Sequence, residues 1–296
     1  MLSVVLLVRE QPSATFLINT VQDVLPVQKV IYESWDGPPE PAPPLSKLRA
    51  LKETAQMYQR YYKRRIYEEI SGAKELELAA RDTVFGHRWK EIETPTSIVE
   101  IYDRDWKAAQ AELQSDPPDL LLVFGTGLIP ASVTEIAKLG CINIHTGLSP
   151  HYRGQNCTHF PILNEDFENI GVTVHVVRKE IDGGEILIQK RPEICSGDNE
   201  FTLIKKNERL GAEIYADIIR RMAFGERFVP QGQPKDVGLL LMNRALTHGH
   251  KSLVRDLIRG GAIERYLLRQ SLGKVRPKPI VERLQVRPDA SALEQN

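Results

Sequence analysis

The chain is short of cysteine, of net charge and of long apolar runs, and each scarcity removes a class of protein. Three cysteines in 296 residues, Cys141, Cys157 and Cys195, are too few and too scattered for a disulfide framework. They fit a reducing compartment. No CxxC and no paired His/Cys spacing occurs, so no metal centre is expected. With 39 Lys and Arg against 39 Asp and Glu, no global field favours nucleic acid or membrane. No apolar stretch approaches the roughly 20 residues that span a bilayer. The opening MLSVVLLVRE is too short an apolar run for a signal peptide and lacks a basic leader. It reads as a buried first strand, and the protein as cytoplasmic.

What is present is a globular composition, 42% hydrophobic and 26% charged, on a chain long enough to bury a core. Its charge is uneven. Lys235 to Arg287 holds 12 Lys/Arg against four acids, Asp236, Asp256, Glu264 and Glu282. A solvated basic face and an anionic partner are both open readings.

Hydrophobic patterning predicts an α/β domain. Ser3–Val8 and Val27–Tyr32 read as buried strands flanking a helix over Ala14–Val24. The proline-rich DGPPEPAPPL (36–45) and a basic helix over Ser46–Ile70, capped by Ser46, follow. A partly helical stretch, Ala73–Trp89, completes what reads as an insertion over about 36–95. The α/β rhythm then resumes, with strands at Ile98–Tyr102, Leu120–Phe124, Cys141–His145, Val172–Val177 and Ile186–Ile188. Helices are predicted at Trp106–Leu113, Ala131–Leu139 and Phe201–Met222, the last capped by Asn199. These elements define a Rossmann-like, doubly wound, mostly parallel sheet over 1–223. Residues 224–296 read as a small C-terminal subdomain. It has a strand at Gly238–Met242, helices at Lys251–Ile258 and Ile263–Gln270, and a loosely ordered tail from about 277.

Open α/β sheets bind ligands beyond the carboxyl ends of their strands. Asn143 and His145 end a predicted strand, and their i, i+2 spacing places both on one face. An amide there can donate to an oxygen gaining negative charge, or bond local backbone instead. An imidazole can carry a proton near neutral pH. Asp182, in the turn IDGG, can set the state of that imidazole or merely cap its own turn. Among the other histidines, His159 in NCTHF can face substrate. His175, alternating with valines, reads as structural.

In order along the chain, Asn143-Ile144-His145, Pro150, Tyr152-Arg153-Gly154, Gly171-Val172-Thr173 and Ile181-Asp182-Gly183-Gly184 form a set. That set resembles the catalytic half of the folate-dependent formyltransferases, which include the glycinamide ribonucleotide, methionyl-tRNA and amino-sugar enzymes. The resemblance covers about a quarter of the chain. It implies 10-formyltetrahydrofolate as co-substrate, a primary amine as acceptor, no metal, and Asn143, His145 and Asp182 as the catalytic trio. It further implies that His145 and Asp182 move a proton through water. The pterin would lie between the loop Phe124, Gly125, Thr126, Gly127, Leu128 and the turn carrying Val177, Lys179 and Ile181. Backbone groups of Gly127, Leu128 and Lys179 would read the pterin edge. Ser13, Arg153, Gly154, Gln155, Asn156 and Thr158 would face the acceptor.

The flanking sequence departs from two branches of that family. Arg9-Glu10-Gln11-Pro12-Ser13 carries no glycine where the glycinamide ribonucleotide enzymes have a phosphate loop. Residues 224–296 are too short and too helical for the C-terminal β-barrel of the methionyl-tRNA enzymes, which disfavours tRNA. A small amine, with an amino sugar on a nucleotide carrier as the first candidate, is favoured by elimination. A hydrolase releasing formate and a non-catalytic folate or nucleotide sensor are the competing classes. A homodimer is left open.

Overall fold

The structure, a computed structural model, describes residues 2–34, 72–102 and 104–288. The proline-rich segment and the helix expected over Ser46–Ile70 lie outside these residues. The first half contains β1 (Val4–Arg9), α1 (Pro12–Gln22), β2 (Lys29–Ser34), α2 (Ala73–Phe85), β3 (Ile98–Tyr102), α3 (Trp106–Ser115), β4 (Leu120–Phe124), α4 (Ala131–Thr134) and β5 (Gly140–His145). Next come β6 (Tyr152–Gly154), α5 (His159–Leu163), β7 (Val172–Val176), β8 (Ile186–Lys190) and α6 (Glu200–Ala223). The chain closes with β9 (Glu226–Phe228), β10 (Leu239–Leu241), α7 (His248–Arg259), α8 (Ala262–Ser271) and β11 (Val286–Pro288).

Seven strands form one sheet in the order β3-β2-β1-β4-β5-β7-β8. The first five are parallel; β7 runs antiparallel to β5, and β8 antiparallel to β7. The parallel strands are apolar on both faces because helices cover both. On one face Leu6, Val8, Leu122 and Ile144 pack with Phe16 and Leu17 of α1 and Tyr215 and Ile218 of α6. On the other, Val5, Leu7, Leu121 and Val123 pack with Ala109 and Leu113 of α3 and Val133 of α4. This is the doubly wound, mostly parallel α/β fold that the patterning predicts. No helix among the described residues is long and apolar enough to cross a membrane.

Local chemistry explains most of the element ends. Asn199 caps α6 as expected, accepting from the backbone of Phe201 and Thr202 while Thr202 Oγ1 accepts from Asn199 N. The helix expected over Ala131–Leu139 is cut to Ala131–Thr134. The N–H groups of Lys138 and Leu139 turn back to the carbonyls of Pro118 and Asp119, so the chain enters β5 early. Asn19 ties down the segment after α2, donating to the carbonyls of Arg88 and Glu91 and accepting from Glu93 N.

The C-terminal segment is stitched into the body. β10 pairs in parallel with β6, β11 pairs with β9, and Gln189 exchanges two bonds with Val281. Val254 of α7 and Ile263 and Tyr266 of α8 share a cluster with Ile162, Phe167 and Leu203. The buried pair Arg255–Glu200, at 2.6 Å, crosses the same contact.

Candidate active site

Strand register builds the site. Val123 of β4 pairs with Asn143 of β5, and Asn143 pairs in turn with His175 of the antiparallel β7. Directly opposed residues project to the same face, and so do residues two apart along a strand. Asn143, His145 and His175 therefore share one face of the sheet. Asn143 Nδ2 lies 3.2 Å from His175 Nε2. The alternation of His175 with valines predicts a structural residue; the structure sets it beside Asn143 and Asp182. Its face is the one that carries Asn143, which only the pairing of β5 with β7 reveals. The sequence hint was a lone imidazole among buried valines, seven residues before Asp182.

Asp182 reaches this face from the turn between β7 and β8. Its backbone is left-handed, at φ 47, a conformation that Asp tolerates better than most residues. One carboxylate oxygen lies 3.3 Å from His145 Nδ1 and the other 3.4 Å from His175 Nε2. Gly154 N donates to the first at 2.8 Å. Asp182 is thus in direct contact with His145. Burial alone would raise the Asp182 pKa. The charge of His145, the hydrogen bond and charge of His175, and the Gly154 N–H outweigh it and hold the carboxyl well below the usual range.

His145 is buried and held at both nitrogens. Nε2 lies 2.8 Å from the Tyr152 carbonyl, which can only accept, so the ring donates there. The Tyr152 carbonyl thus holds a proton on Nε2, and Nδ1 faces the Asp182 carboxylate. A carboxylate was expected to set the tautomer; a backbone carbonyl does so here. Gly147 permits this, because a Cβ there would collide with His145 Nε2 and the Tyr152 carbonyl. Gly154 is at φ 94, and a Cβ on it would run into the Leu241 carbonyl.

His175 faces two different partners. With Nδ1 donating to the Val176 carbonyl at 2.9 Å, the Nε2 lone pair accepts from the Asn143 amide. When protonated instead, the same nitrogen donates to Asp182 and no longer accepts from Asn143. The amide, both imidazoles and the carboxylate form one connected polar chain.

The remaining expected residues are placed less uniformly. Phe124 is buried in β4, and Gly125 is left-handed at φ 73. Gly127 N, expected to read a pterin edge, instead donates to Glu33 Oε2 at 2.8 Å. Glu33 is fully buried at the end of β2, with Arg104 Nε 3.6 Å from its other oxygen. Leu128 and Lys179 are exposed, Thr126 and Ile181 partly so. Val177 N is bonded to the Cys141 carbonyl. Ser13 is engaged elsewhere. Its hydroxyl donates to Glu208 Oε2 at 2.5 Å, and Lys205 Nζ bonds Glu208 at 2.9 Å.

Arg153 stands beside the Gly183 turn, half-buried. Gln155 N donates to the Leu241 carbonyl, and Asn156 is left-handed at φ 60. Thr158 is buried between the Thr146 carbonyl and the Asn207 amide. Burial, then the nearby charges of Lys251 and Arg255, push the His159 pKa down to about 4, so that ring is neutral near pH 7. No group of three or more His, Cys, Asp or Glu able to hold a metal occurs among the described residues.

The fold and this site define an α/β protein with an amide, imidazole and carboxylate grouped beside the antiparallel edge of its sheet. Residues 79–219 match the model of the formyl transferase family. It is 34% identical over 146 residues to the methionyl-tRNA formyltransferase of Ehrlichia ruminantium (strain Gardel), covering 49% of this chain and 45% of that protein. The chain spans about half the length of the curated relatives it matches. Among solved structures, a 4-N formyltransferase from Francisella tularensis shares the fold, with TM-score 0.50 and 20% identity over 82% of this chain and 77% of that one. Glycinamide ribonucleotide transformylase 1 from Symbiobacterium toebii does so with TM-score 0.50 and 18% identity, over 81% and 95%.

Proposed function

We propose that this protein transfers the formyl group of 10-formyltetrahydrofolate to the primary amine of a small acceptor, with an amino sugar on a nucleotide carrier as the first candidate. The observation that carries this reading is the Asp182 carboxylate set against two imidazoles, with the Asn143 amide on the second. The amine nitrogen attacks the formyl carbon, and a tetrahedral intermediate forms. The Asn143 amide has two N–H groups; one faces His175 and the other serves the oxyanion. The His145–Asp182 pair takes the proton from the attacking nitrogen. It returns a proton to the folate nitrogen as the carbon–nitrogen bond of the donor breaks. The N-formylated acceptor and tetrahydrofolate are the products.

The donor's pterin is assigned to the cleft between 124–128 and 177–182. Because Glu33 holds the Gly127 N–H, reading of the pterin edge falls to the backbone of Leu128 and Lys179. On the acceptor side, Arg153, Gly154, Gln155, Asn156 and Thr158 follow His145 on the same excursion.

A second reading, methionyl-tRNA as acceptor, is supported by the names of the curated relatives and by the basic residues of 235–287. Against it, residues 224–288 contribute two helices and short strands packed on the body.

The test is incubation with 10-formyltetrahydrofolate and a panel holding a nucleotide-linked amino sugar, glycinamide ribonucleotide and methionyl-tRNA. Release of tetrahydrofolate is followed. Turnover with the amino sugar is expected. Turnover without any amine would favour a hydrolase, and the absence of folate binding would sink both readings.

A further inference from the structure

The stretch 231–242 touches the site twice. Gln231 and Ile186 exchange both backbone hydrogen bonds at 2.7 Å, the pattern of a closely paired antiparallel bridge. Two residues further on one chain and two back on the other, Gln233 falls opposite Gly184. Its side-chain Nε2 donates to the Gly184 carbonyl at 2.6 Å and to the Asp182 carbonyl at 2.9 Å. Both N–H groups of one amide are used on the two carbonyls that bracket Gly183. At its other end the same stretch runs as β10 beside β6, with Leu239 N on the His151 carbonyl and Gln155 N on the Leu241 carbonyl. Gly154, the last residue of that pairing, supplies the N–H that donates to the Asp182 carboxylate.

We infer that residues 231–242 form a strap that sets the geometry of Asp182, and that Gln233 is its positioning residue. The strap fixes the Asp182 main chain at one end and the carboxylate's own donor at the other. Asp182 needs this support because its left-handed backbone is one that few non-glycine residues adopt unaided. Without the Gln233 amide the turn is free to relax, and the carboxylate leaves its two imidazoles. Gln233 touches no reacting atom; it acts through Asp182.

This inference rests on the formyl-transfer reading for its kinetic arm only. Gln233→Met keeps the length of the side chain and removes both donors, and Gln233→Lys restores donor capacity. Gln231→Ala is the local control, since Gln231 contributes its backbone. Imidazole nitrogen NMR of His145 and His175 and steady-state kinetics are measured on all three full-length variants.

Gln233→Met is expected to shift both imidazole signals and to lower kcat about tenfold or more, with KM for donor and acceptor within about twofold. Gln233→Lys is expected to recover part of that loss, and Gln231→Ala to match the wild type. Unchanged imidazole signals in Gln233→Met, or equal losses in Gln231→Ala and Gln233→Met, would overturn the inference. If Gln233→Met does not fold, Gln233→Glu, which keeps the shape and replaces the donors with acceptors, carries the same comparison: displaced imidazole signals support the inference, and signals identical to the wild type overturn it. If the wild type formylates no amine, the proposed function falls, and the imidazole signals alone decide the role of Gln233.

Discussion

The two halves of the sheet treat buried charge in opposite ways. In the parallel half, polar side chains at strand ends and on the covering helices close on each other. Glu33 is held by Gly127 N and Arg104, and Ser13, Lys205 and Glu208 form a compact cluster. In the antiparallel half, charge is concentrated rather than dispersed. One carboxylate serves two imidazoles, and one of those imidazoles also meets an amide. Both halves bury groups that are costly to bury unpaired. The difference is that, of the two, the second joins one carboxylate to two imidazoles and an amide. Buried charge by itself therefore does not single out the candidate site; a carboxylate shared between two imidazoles does.

The largest effects should come from breaking the connected half. Asp182→Asn keeps the shape and removes the charge, and should lower kcat by about 10²–10⁴-fold. Asn143→Ala should cost about 10²–10³-fold. Single-turnover formyl transfer measures both, and full activity in either variant would contradict the mechanism.

Next comes a stability effect with a defined direction. The folded-state pKa of Asp182 lies below its unfolded value of about 3.9, so the carboxylate stabilises the fold above that pH and the gain is lost as pH falls. Denaturant unfolding of wild type and Asp182→Asn should differ most near pH 7 and converge under acid. A gap that widens on acidification would reverse the assignment.

The smallest effect on activity belongs to the closed half. Lys205→Met, breaking a pair whose side chains are 9% and 12% exposed, should cost about 3–5 kcal/mol of stability. The double variant Lys205→Met/Glu208→Leu should recover most of it while leaving kcat alone. A folded double variant that has lost acceptor KM would place the acceptor against Ser13 and blur the contrast between the halves.

The fold was largely legible because its strands carry a strong pattern. β3 and β4 fall at the residues that patterning predicts, Ile98–Tyr102 and Leu120–Phe124, and the Asn199 cap is where local chemistry puts it. What was not legible depends on pairing between distant segments. Ala131–Leu139 has helical spacing, but bonds to Pro118 and Asp119 end the helix early. His175 could not be assigned to the site without knowing that β7 lies antiparallel to β5. Gln233 lies in a turn-rich stretch with no periodicity, and Tyr152 acts through a carbonyl that every residue possesses. The Glu33–Gly127 bond joins residues 94 apart, so only the folded arrangement reveals it.

The cross-strand pairing of Asn143 with His175 bears on how this chain can diverge. Adding or removing one residue within β7 would turn His175 to the opposite face and strip the amide of its imidazole. The connection from Val177 to Ile181 is also length-constrained, since it must return Asp182 over the same two rings. The excursion from Thr146 to Ile170 is fixed as far as Gly154, which donates to Asp182, and beyond it only has to end where β7 begins. Variation in chain length is thus channelled into the excursion assigned to the acceptor, where new amines can be tried while the proton-handling geometry stays fixed.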